Sequence, residues 1–121
     1  MGRFARAAAL AALTIAPMAQ VAAQEQAPNR REFTVTASDH RYTPDRIEVS
    51  KDDLVKITFR SEGQPATFVI DAYRIVKRAG SGQSVTFEFR ADQPGTFPYY
   101  CNLTGDPACR DMKGTLVVKG R

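Results

Sequence analysis

"FEFRADQPGTFPYYC", residues 87–101, is the stretch on which the reading of the fold turns. It opens with Phe87 and Phe89 alternating against Glu88 and Arg90, the period-two pattern of a strand with one buried face. "DQPG" at 92–95 breaks the pattern with turn residues. A second aromatic run follows and ends on Cys101. Phe97, Tyr99 and Cys101 share parity, so a core-facing Phe97 sends the cysteine inward too. The next loop carries Cys109 and Met112, which brings three sulfurs toward one end of the fold.

The same alternation extends through the rest of the chain. "FTVTA" puts Phe33, Val35 and Ala37 on one side, "RIEVS" offers Ile47 and Val49, and "LVKITFR" offers Val55, Ile57 and Phe59. "ATFVIDAY" holds Phe68 and Ile70, and "GTLVV" closes the set. Turn signals separate these runs: "TPD", "KDD", "SEGQP" and "AGSGQ". About seven strands and no long helical period predict an all-β antiparallel sandwich or small barrel. An immunoglobulin-type sandwich would want a buried tryptophan between widely spaced cysteines, and the chain has no tryptophan.

The first residues read differently. "MGRFAR" is basic, "AAALAALTIAPMA" is apolar, and "VAA" precedes Gln24. That is the layout of a secretory signal peptide, residues 1–23, cut near Ala23. At about a dozen apolar residues, broken by Pro17, it falls short of the roughly 20 that span a bilayer. Residues 24–31, "QEQAPNRR", read as a loose leader, and residues 32–121 as one domain.

Removing the first 23 of 121 residues leaves 98, enough for one modest core. Arg3 and Arg6 leave with the signal, so 15 basic side chains face 13 acidic ones. Such a small mixed-sign excess argues against nucleic-acid binding, which shows a clustered basic stripe. Arg74, Lys77 and Arg78 suit an acidic partner, but they read first as a solvated face. Asp39 and His40 are neighbours without a nucleophile motif, and the cysteines lack C-x-x-C spacing, so no enzyme class is indicated. Two nearby cysteines in an oxidising compartment pair by default. Closing so short a loop restricts the unfolded chain by about 2.6 kcal/mol in the chain-entropy model.

From Phe33 to Val118 the chain resembles the cupredoxin family, Greek-key copper sandwiches, and within it the copper domain of cytochrome oxidase subunit II and related periplasmic single domains. "YTPDRIEVSKDDLVKITF", "FEFRADQPGTFPYYC" and "DMKGTLVV" carry the likeness. The family holds copper with two histidines, a cysteine and a methionine. The resemblance puts the cysteine at Cys101 and the methionine at Met112. It puts Ala66 and Cys109 where the histidines belong. His40 is the only histidine, so neither a blue-copper nor a binuclear centre is complete within one chain.

Three readings follow. In the first, Cys101 and Cys109 form a disulfide and the domain acts metal-free through a periplasmic protein partner. In the second, Cys101, Cys109 and Met112 carry Cu(I), which soft sulfur donors select. In the third, His40 is recruited beside Cys101 and Met112 for residual copper electron transfer.

Overall fold

All seven alternating runs become strands in the computed structural model, which describes residues 29–120. In chain order the strands are β1 (Arg30–Ser38), β2 (Arg41–Thr43), β3 (Arg46–Ser50), β4 (Leu54–Ser61), β5 (Ala66–Ile70), β6 (Ile75–Ala79), β7 (Ser84–Arg90), β8 (Gly95–Tyr100) and β9 (Lys113–Lys119). One sheet has the order β2-β1-β4-β7 and the other β3-β9-β8-β5-β6. The β1–β4 and β3–β9 pairs are parallel and the others antiparallel. The two sheets enclose the core of an all-β sandwich.

Two strands exceed the seven expected. In β2 a single buried residue, Tyr42, lies between exposed neighbours, too short a run to show a period. In β6 the inward positions are Ile75, Lys77 and Ala79, and Lys77 interrupts the apolar pattern. Its ammonium lies 5.5 Å from the centre of the Phe87 ring, so the aliphatic stem covers core while the charge reaches water. Arg74 and Arg78 are exposed on either side of it.

The leader expected over residues 24–31 gives way at Arg30. There β1 already pairs with β4, Arg30 opposite Leu54 and Arg31 opposite Val55. The expected signal segment and its cut near Ala23 lie outside the described residues.

Five aromatic rings fill the centre. Phe68 stacks on Tyr99 at 4.7 Å and meets Phe59 at 5.6 Å, with Tyr42 and Phe87 each at 5.8 Å. The two buried phenols keep partners: Tyr42 donates to the Thr67 carbonyl at 2.6 Å, and Tyr99 to the Pro44 carbonyl at 2.9 Å. Burial pushes both phenols well above the ordinary tyrosine value, helped at Tyr42 by Tyr99 and at Tyr99 by Asp45.

The raised values have a stability consequence. Above the unfolded value, near pH 10, the unfolded chain loses phenolic protons that the folded one keeps. Stability is therefore intact below about pH 10 and falls above it by about 1.4 kcal/mol per pH unit for each phenol. Urea midpoints measured at pH 8, 10 and 11 should show this drop, and Tyr42→Phe should remove about one group's share of it.

Candidate functional site

β8 ends where Cys101 turns inward, as its parity with Tyr99 requires; both side chains are buried. The loop beyond contains one helical turn, α1 (Pro107–Arg110), too short to show a helical period in the sequence. The signal for it was present as "DP". Asp106 is the N-cap, its Oδ1 accepting the Ala108 N–H at 2.9 Å, and Pro107 opens the turn. Gly105, at φ +82°, makes the left-handed step that leads into the cap. This turn carries Cys109 back to Cys101.

The two cysteines are bonded, with α-carbons 5.2 Å apart, and no free cysteine remains among the described residues. Each sulfur also accepts hydrogen bonds. Cys101 Sγ takes the Thr67 N–H at 3.3 Å and lies 3.5 Å from the Thr67 hydroxyl. Cys109 Sγ takes the Leu103 N–H at 3.1 Å. The Thr67 hydroxyl in turn accepts the Asn102 N–H and lies 2.8 Å from Asn102 Oδ1. Thr67 was missed as a site residue. Half of its contribution is a backbone N–H, which any residue there would supply.

A cavity of about 310 Å³ opens beside the bond. Ala37, Ala66, Cys109 and Met112 give it a buried apolar wall, and Asp39, His40 and Glu62 are exposed around it. Met112 donates its N–H to the Cys109 carbonyl at 3.1 Å and is itself buried. His40 occupies the two-residue turn between β1 and β2, where Asp39 and His40 both take left-handed conformations (φ +54° and +64°). Of the four residues singled out as metal donors, Cys101 and Cys109 are bonded to each other, and Cys109, Met112 and His40 line one cavity. No group of three or more His, Cys, Asp or Glu side chains among the described residues is arranged to hold a metal ion. No described helix is long and apolar enough to cross a membrane.

Comparison with known proteins identifies the architecture. The profile of the cupredoxin-like domain family matches residues 6–118. No curated protein matches. Among solved structures, auracyanin A, a "blue" copper protein from the green thermophilic photosynthetic bacterium Chloroflexus aurantiacus, superposes with a TM-score of 0.64 at 17% identity, over 75% of this chain and 100% of that one. The metal-binding domain of the Cu(I)-exporting P-type ATPase CopA of Streptococcus pneumoniae D39, solved with Cu(I), gives 0.58 at 17% identity, over 72% and 83%. The multicopper oxidase mgLAC gives 0.65 at 21% identity over 76% of this chain, which spans only 39% of that protein.

Proposed function

Because the chain belongs to the cupredoxin-like domain family, we propose that it is an exported, non-enzymatic member whose copper loop is closed by a disulfide. It acts metal-free through a protein partner in the periplasm. The Cys101–Cys109 bond carries this reading. A cupric centre of the family's kind takes two imidazoles, a thiolate and a thioether. This chain has one histidine, and Ala66 offers no donor where the resemblance aligns an imidazole. Both cysteine sulfurs are committed to each other. These residues do not fit that centre.

Thiol counting and copper titration test the reading. The untreated protein should expose no free thiol, retain no copper after dialysis and develop no thiolate-to-copper(II) band in the visible. Two free thiols, or an intense blue colour on Cu(II) loading, would overturn it.

One observation favours a second activity of the reduced protein. Cys109 and Met112 line one cavity, and Cys101 lies next to it through the bond. Once reduced, these three soft donors suit Cu(I) as cargo. The fold of the CopA metal-binding domain, solved with Cu(I), supports the same reading. Reduced protein should then take up about one Cu(I), and Cys109→Ser should abolish the uptake. The same titration on His40→Ala separates the donor sets: unchanged uptake supports sulfur alone, and lost uptake supports His40 recruited beside Cys101 and Met112.

A further inference from the structure

We propose that the Cys101–Cys109 bond is exchange-active, with an incoming thiolate of a dithiol reductant attacking Cys109 Sγ and Cys101 departing as the thiolate. The inference rests on the disulfide-closed reading above and adds to it the class of partner that opens the loop.

The two sulfurs are not equivalent. Cys109 borders the 310 Å³ cavity and Cys101 does not. As whole residues their exposures run the other way, 8% for Cys101 and 1% for Cys109. Exchange needs room for a nucleophile beside the bond, and of the two cysteines Cys109 is the one that lines the cavity. The departing sulfur must also accept a full negative charge, and here Cys101 has more support. It already takes the Thr67 N–H at 3.3 Å, with the Thr67 hydroxyl at 3.5 Å. In the oxidised protein that hydroxyl has a nearer acceptor in Asn102 Oδ1, at 2.8 Å. As charge develops on Cys101 the hydroxyl can turn its hydrogen to the sulfur, giving a second donor where charge-assisted bonds are strongest. Cys109 has the Leu103 N–H alone.

The step balances as ordinary thiol–disulfide exchange. The reductant's first sulfur bonds to Cys109 Sγ while the Cys101–Cys109 bond breaks and its electron pair goes to Cys101 Sγ. The reductant's second thiolate then attacks its own first sulfur. Cys109 is released as a thiolate and the reductant leaves as a disulfide. Two electrons pass to the protein, and the two protons of the dithiol end on the cysteines. Opening the bond in this way exposes the donor set for Cu(I).

A monothiol stops the sequence at its first step. The folded protein is treated with 2-mercaptoethanol, quenched with N-ethylmaleimide and digested with trypsin, which releases both cysteines in the peptide 91–110. Fragment-ion mass spectrometry should find mercaptoethanol on Cys109 and maleimide on Cys101, exceeding the reverse labelling about tenfold. Thr67→Val keeps the backbone N–H and should slow adduct formation about threefold without moving the label. Labelling of Cys101, equal labelling of both, or a rate that follows only the urea-unfolded fraction overturns the proposal. Failure of the underlying reading looks different: free thiols or bound copper in protein that has met no reductant.

Discussion

Phe68→Ala should destabilise the domain by about 3–5 kcal/mol, read as a lowered urea midpoint. The ring is fully buried and is the one that meets all four other rings of the central cluster: Tyr42, Phe59, Phe87 and Tyr99. Truncating it removes the transfer free energy of a large apolar group and leaves a cavity bounded by side chains from both sheets. Those neighbours are poorly placed to collapse into it, since Tyr42 and Tyr99 are each tied by a hydroxyl to a backbone carbonyl. Domains of this size are stable by only about 5–15 kcal/mol, so the loss is a large share of the total. A loss below about 1 kcal/mol would mean that the two sheets close over the gap.

Gly114→Ala should cost about 3 kcal/mol, at the upper end for overpacking. Gly114 lies opposite Tyr99 in the β8–β9 pair, and a Cβ built there would overlap the tyrosine ring. The requirement is spatial, since Gly114 is not among the residues with positive φ. The ring cannot retreat, because it is fully buried, stacked on Phe68 and anchored at Pro44. Combining Tyr99→Ala with Gly114→Ala should recover part of the loss, a coupling that a double-mutant cycle reads directly. Strict additivity would refute the contact.

Much of the sandwich was legible because alternation is a local signal. Val55, Ile57 and Phe59 in β4, and Ile47 and Val49 in β3, lie in the core where their spacing puts them. Phe33 and Phe97, expected on the inner face, are only half-buried at its margins. β6 escaped notice because a lysine holds one of its inward positions and Phe87, distant in sequence, makes that acceptable. The pairing of Cys101 with Cys109 was legible from strand parity and from the closeness of the two cysteines in sequence. What the pattern could not supply was the supporting shell. Thr67 reaches Cys101 across 34 positions of sequence, through a backbone N–H that carries no side-chain signature. The turn bearing Cys109 was readable, since an aspartate followed by a proline is a helix start, but one turn leaves no period to detect.

The parallel pairing of β3 with β9 bears on the order of assembly. In the second sheet β9 lies between β3 and β8, with Arg46 opposite Thr115 and Ser50 opposite Lys119. Until β9 arrives, β3 has no sheet neighbour and that half of the core stands open. Contacts so remote along the chain are slow to form, because the intervening loop must close before they reward it. A chain therefore stays incompletely zipped until residue 119 or so is free to join, and β9 acts as the latch.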